Sequence, residues 1–275
     1  MTRHLTPNLV LGALLVAFVV GMAALSLVWT PHDHAAMSIR ARFGPASDIH
    51  WLGTDQLGRD IVSQLMVAAR NSMTVALIAV LAGGSIGVAL GLLASALGGW
   101  VEDLIMRVAD IGFAFPALLF AIMLSAVFGP SLWVAVIAIA FINIPVFARV
   151  TRGAANVIWT RDYVAAARAA GHGKLAISRD HILPNVAAPV IVQATIEFAI
   201  AILAEAALSY LGLGAQPPSP SWGRMLSEAQ TLMFMAPQLA IYPGLCIMAA
   251  VLGFSLLGDA LRDITDPRLT RSRQA

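Results

Sequence analysis

Charge is scarce in this 275-residue chain: Asp, Glu, Lys and Arg together make up 12% of it, about half the share of a soluble domain. Hydrophobic residues make up 59%, and the mean hydropathy is +0.82. So apolar a composition excludes an ordinary water-soluble domain and predicts an all-α polytopic membrane protein. Cysteine is nearly absent too. A lone Cys246 rules out an internal disulfide, and its place in an apolar run reads as a small core residue. The chain holds no Gly-x-x-x-x-Gly-Lys-Ser/Thr; Gly173-Lys174 lacks the upstream glycine and is followed by Leu175. ATP binding by that route is excluded. No His-Glu-x-x-His is present, and Ser178 and His181 lack a third catalytic member. His32-x-His34 offers two ligands with no third nearby and reads as a solvated loop. No catalytic residue, metal site or bound cofactor is therefore expected.

Long apolar runs dominate what is there. Asn8 to Trp29 is long enough to cross a hydrocarbon core of about 30 Å, too long for a signal-peptide core, and followed by no small-residue cleavage site. It reads as an uncleaved first span. Pro31 to Arg70 is polar and turn-rich; within it Leu57, Ile61, Val62, Leu65 and Met66 share a helical face, which predicts a helix lying at the membrane surface. Further spans are expected at Asn71–Leu97, Glu102–Phe128, Ser131–Val150, Val186–Leu213 and Gln238–Leu257, making six. The second carries Ala79, Gly83, Gly87, Gly91, Ser95 and Gly99 every four residues, a stripe that admits another backbone closely. The third opens with Asp103, Arg107 and Asp110 on one face, read as anchors or a local ion pair as readily as a gate, and crosses Pro116. Asn143 and Pro145 lie near the far end of the fourth. Gln193, Glu197 and Glu205 lie in the fifth; polar groups at membrane depth usually face a cavity or a partner, so these three and Asn143 are candidates for a translocation path. The chain thus divides into residues 1–70, a first span with an external amphipathic segment, and 71–275, a five-span core.

Residues 162–185 form the longest polar interruption of the second half, within a loop at 155–185. Tyr163, Ala166, Ala167 and Ala170 fall on one small, flat helical face; Gly171 and Gly173 turn the chain, Lys174 to Arg179 start a second segment, and Pro184 enforces the next break. The product is a helix–turn–helix lug between two spans. Basic residues orient it. With the N-terminus inside, Arg3, Arg107, Arg149, Arg152, Arg161, Arg168, Lys174, Arg179, Arg262, Arg268, Arg271 and Arg273 are cytoplasmic, whereas Arg40, Arg42, Arg59, Arg70 and Arg224 lie outside. That bias obeys the positive-inside rule, makes the lug and both termini cytoplasmic, and explains the pI of about 9.1 without nucleic acid.

The lug resembles the cytoplasmic coupling loop of bacterial ABC importer permeases, whose pattern is Glu-Ala-Ala, three residues, Gly, nine residues, Ile-x-Leu-Pro. Ala166, Ala167, Gly171, Leu183 and Pro184 fall on that pattern; Ala165 stands at its Glu and His181 at its Ile. Leu52-Gly-Thr-Asp-x-x-Gly-Arg-Asp60, Glu205-Ala-Ala-Leu-Ser-Tyr-Leu-Gly-Leu-Gly214, Pro217-Pro-Ser-Pro-Ser-Trp-Gly223 and the tail from Gly258 to Arg268 resemble the dipeptide, oligopeptide and nickel branch. The resemblance implies a type I importer permease with six transmembrane helices in a bacterial cytoplasmic membrane. It also implies a related second permease subunit, two ATPase subunits that carry ATP and Mg, and an external substrate-binding protein. Tyr163, Ala165, Ala166, Ala167, Gly171, Lys174, Leu183 and Pro184 would then couple ATPase to membrane. Di- or oligopeptides are the first expected cargo, with nickel, a nickel chelate or glutathione-like peptides as alternatives. An ion-coupled secondary transporter is the rival class, although the halves show no inverted correspondence of broken helices.

Overall fold

A computed structural model describes residues 7–265, and within them it is helical, with a single isolated bridge between Thr54 and Asp60. Arg3, Arg268, Arg271 and Arg273, on which part of the charge bias rests, lie outside the described residues. The helices are α1 (Pro7–Leu25), α2 (Ile61–Leu97), α3 (Gly99–Ala114), α4 (Ala117–Phe128), α5 (Leu132–Trp159), α6 (Asp162–Ala169), α7 (Lys174–Ile177), α8 (Leu183–Tyr210), α9 (Trp222–Ala229) and α10 (Gln238–Thr265). Five runs are long and apolar enough to cross a membrane: α1, α2, α5, the continuous stretch Lys174–Tyr210 and α10; α3 and α4 together make a sixth.

Three expectations need correction. The helix placed at the membrane surface is instead the first turns of α2, which runs unbroken for 37 residues, about 55 Å at the helical rise. Leu65 and Met66 are buried against other helices there, so tertiary packing, not a lipid surface, takes the apolar face. The third span is not one helix: α3 and α4 meet at 82°. Pro116 lacks the amide that would continue the ladder and drives Phe115 to an extended conformation (φ −89°, ψ 117°). Pro184, finally, breaks nothing. Ser178–Ile182 forms a wide turn of π type, the Asn185 amide donates to the His181 carbonyl at 2.7 Å, and Pro184 sits in the first turn of α8 where a missing N–H costs little.

The α2–α5 pair is the most extensive in the chain. A Cβ added at Gly83, Gly87 or Gly91 would lie 2.5, 2.4 or 2.6 Å from the carbonyl oxygens of Ala140, Ile144 and Ala148, respectively. Both helices therefore present the same four-residue period, and the seam closes backbone to backbone as the small-residue stripe predicts. Pro145 lies within α5 without ending it. Charged residues fasten α3 to this rod: Arg149 pairs with Asp110 and stacks 4.2 Å over the Phe113 ring, and Arg152 pairs with Glu102. Asp103 and Arg107 remain exposed.

Candidate functional site

The lug begins where α5 ends at Trp159, and α6 starts with Asp162 in its first turn and ends with Arg168 in its last, the order that complements the helix dipole. Its end is a Schellman motif: the Gly171 amide donates to Arg168 O at 3.0 Å and the His172 amide to Ala167 O at 3.1 Å. This closure puts Gly171 at φ +85°, in the left-handed region where a side chain is strained. An added Cβ there would meet nothing within 4 Å, so conformation alone demands glycine.

One apolar plug holds the lug to the bundle. Val164, Ile177, Ile182, Val186 and Ala155 bury themselves together, with Leu92 of α2 and Trp159 packed around them. Lys174 Nζ donates to Leu97 O at 3.3 Å, Trp159 Nε1 to Ser95 Oγ at 3.3 Å, and the Arg168 guanidinium lies 5.0 Å over the Trp159 ring. The lug therefore rides on the C-terminal ends of α2 and α5. Of the residues expected to couple, Tyr163, Ala165, Ala166, Gly171, Lys174, Leu183 and Pro184 are exposed, while Ala167 is half-buried against the plug. Lys174 is exposed yet bonded inward, as a cap on α2. His181, at the expected isoleucine position, is half-buried and meets Tyr163 edge to face at 6.3 Å, while the neighbouring Ile182 fills the plug. Sequence reasoning missed Val164, although an isolated valine opposite an alanine face was the available signal.

The path candidates separate in the structure. Glu205 is fully buried; Ser209 Oγ donates to it at 2.6 Å and in turn accepts the Ala215 amide at 3.1 Å, which ties α8 to the loop that follows. Beside it a Cβ on Gly223 would lie 2.0 Å from Ala206 O, so α9 sits directly on α8. Glu197 is buried and accepts the Gln193 amide at 2.8 Å along the same helix. Asn143 is buried in the α2–α5 seam against Gly83.

A polar clasp closes the opposite end of the bundle. Asp55 Oδ1 accepts the amides of Leu57 and Arg59, and its Oδ2 binds Arg59 Nε at 2.6 Å and the Gln64 amide at 2.8 Å. Arg59 reaches on to Glu228 of α9 at 2.8 Å, and Glu228 also binds Arg224 at 2.9 Å. Burial works against the Arg59 charge, but Asp55 and Glu228 hold the guanidinium pKa above its usual value. A Cβ on Gly58, at φ +73°, would fall 1.9 Å from Ser38 O. The Leu52–Asp60 motif thus packs as a tight loop on the first turn of α2. Asp60 caps that turn, its Oδ2 accepting Ser63 N at 2.8 Å and Ser63 Oγ at 2.7 Å. Burial would raise the Asp60 carboxyl, but the Ser63 amide and hydroxyl, the His50 ring and His32 hold it below the ordinary carboxylate value. His32, expected to pair with His34 if with anything, instead lies beside His50 and Asp60.

A helical bundle with a broken third span and a lug at one end is the form of a polytopic membrane subunit. The chain belongs to the family described as binding-protein-dependent transport system inner membrane component, whose model matches residues 86–271. It is 42% identical to the dipeptide transport system permease protein DppC of Alkalihalophilus pseudofirmus over 94% of this chain and 86% of that one. It is 45% identical to the glutathione transport system permease protein GsiD of Pectobacterium atrosepticum over 84% of this chain and 76% of that one. A probable D,D-dipeptide transport system permease protein, DdpC of Escherichia coli, is 38% identical over 96% of this chain and 88% of that one. Among solved structures, a chain of the MetNI methionine ABC transporter superposes with a TM-score of 0.62 at 18% identity, over 74% of this chain and 97% of that one. The protein is thus a multi-pass inner-membrane permease of an ABC importer, not itself an enzyme, and membership of the family implies a binding protein and an ATPase as partners.

Proposed function

We propose that this chain forms one of two membrane halves of an ATP-driven importer of di- or oligopeptides, paired with a related permease and driven by two ATPase subunits. The exposed small-residue lug carries this reading. Tyr163, Ala165, Ala166 and Ala170 present a low surface that fits a groove on an ATPase. Because the plug and Lys174 join the lug to the ends of α2 and α5, a push on the lug moves those long helices as levers. In this reading closure of the ATPase pair turns the α2–α5 rod against α8, exchanging inward and outward access to a cavity completed by the second permease. Gln193 and Glu197 border that cavity, while Glu205 locks α8 to the external loop and α9. The lug and both termini face the cytoplasm, and the clasp faces the binding protein. Short peptides are favoured as cargo because the relatives above are named for dipeptide, D,D-dipeptide and glutathione transport.

The test is ATP-dependent peptide uptake into proteoliposomes that contain this chain with its partner permease, ATPases and binding protein. Gly171→Arg is expected to abolish uptake and release the ATPase while the chain stays in the membrane. Normal transport by Gly171→Arg would overturn the lug as the coupling element, and uptake by the chain alone down an ion gradient would overturn the need for ATPase subunits.

A further inference from the structure

His32, His50 and Asp60 come from three separate turns of the segment before α2, yet one potential ligand atom from each lies within 4.8 Å of the others. His50 Nδ1 is 2.9 Å and His32 Nδ1 3.6 Å from the same oxygen, Asp60 Oδ1, and the two rings lie 4.5 Å apart between centroids. His32 Nδ1 is a buried atom with no hydrogen-bond partner, although the ring edges of both histidines reach the surface. Around a tetrahedral Zn²⁺, with bonds of 2.0–2.1 Å, donor atoms stand about 3.4 Å apart. The observed separations bracket that value.

The surroundings are those of a supported site. Asp60 is 2% exposed and splits its two oxygens: Oδ2 is spent on Ser63 N and Oγ, which fixes the carboxylate plane, and Oδ1 faces the imidazoles. Ser63 Oγ also accepts the His32 backbone amide at 2.9 Å, so one serine positions two of the three ligands. Metal sites depend on such outer contacts to orient their ligands. His34 points elsewhere, toward Asp33 at 3.6 Å.

We infer that His32, His50 and Asp60 form a binding site for a divalent transition-metal ion that prefers imidazole, such as Zn²⁺ or Ni²⁺. Two nitrogens and one carboxylate oxygen suit that class and not Mg²⁺ or Ca²⁺, which take oxygen ligands. The ion takes the place of the His50–Asp60 hydrogen bond, a neutral imidazole moving its proton to Nε2 to free Nδ1, and its remaining positions stay open to water. Bound there, it staples the segment from His32 to His50 onto the first turn of α2. This inference is independent of the transport reading, because it concerns equilibrium binding at the end of the bundle remote from the lug.

The experiment is Zn²⁺ titration of the full chain, purified in detergent through a histidine-free tag, followed calorimetrically and repeated with Co²⁺ for its visible absorption. Wild type is expected to bind one ion saturably. His32→Phe keeps the ring contact with His50 and breaks no hydrogen bond of the His32 ring; it is expected to weaken binding at least about tenfold, the lower end of what even an outer contact contributes. His32→Gln repeats the test should the larger ring disturb the fold, and His34→Gln is expected to bind like wild type. No saturable binding by wild type, or wild-type affinity in both His32 variants, would overturn the site.

Discussion

The two ends of the bundle are built from opposite materials. The clasp before α2 is polar and closed: Arg59 binds both Asp55 and Glu228, Asp60 holds Ser63, and its Gly58 has no room for a methyl group. The lug after α5 is nearly uncharged on its exposed helix face, touches the bundle through an apolar plug and the Lys174 bond to Leu97 O, and its Gly171 faces open space. Directional hydrogen bonds fix a position, whereas a smooth alanine surface leaves area for a partner to cover. One end is fixed by the chain's own hydrogen bonds, and the other leaves its alanine face uncovered.

Paired substitutions sharpen this contrast. Gly58→Ala meets both the left-handed φ and a backbone oxygen and is expected to destabilise the clasp by more than about 3 kcal/mol, adding αL strain to overpacking; thermal unfolding in detergent and proteolysis between residues 38 and 60 would report it. Arg59→Ala leaves the buried Asp55 carboxylate uncompensated and is expected to cost about 3 kcal/mol by the same assay. Val164→Ala removes part of the plug at about 2 kcal/mol, read as faster amide exchange across 162–182 with no change in the clasp. Gly171→Ala pays only for conformation, about 1 kcal/mol, and should fray α6 without unfolding the protein. Arg179→Ala, which removes an exposed pair with Asp180, is expected to leave stability unchanged. If Gly58→Ala proved milder than Gly171→Ala, the contrast between a closed end and an open end would fail.

Acid separates the ends as well. The native Asp60 carboxyl titrates below its unfolded value, so its cap contributes fully above the ordinary carboxylate range, near pH 4. That contribution is lost only as pH falls through the depressed native value. Amide exchange at Ile61 to Gln64 should therefore stay slow on acidification to about pH 4 and quicken below it.

Much of this organisation is legible along the chain because it is periodic. The four-residue stripe foretells a close seam along α2, which α5 makes at Gly83, Gly87 and Gly91, although its last member, Gly99, lies in α3 where an added Cβ would meet nothing within 4 Å, and the spacing from Ala166 to Pro184 marks the lug. Other features are aperiodic and could not be read. Pro116 breaks its span whereas Pro145 and Pro184 do not; Pro184 falls in the first turn of α8, a place that the sequence pattern did not mark. The bond from Lys174, grouped with the coupling residues, to the end of α2 is one such feature. Val164 was passed over for the alanines around it.

Composition and periodicity alone establish that the chain spans a membrane and that its helices pack through small residues. Each follows from local composition and the 3.6-residue helical period. Only the tertiary structure decided which charges meet: Arg59 with Glu228 across 169 residues, Arg152 with Glu102 across 50, and His32 with His50 and Asp60. Separation along the chain carries no information about such encounters, because they exist only where packed helices bring distant turns to one place.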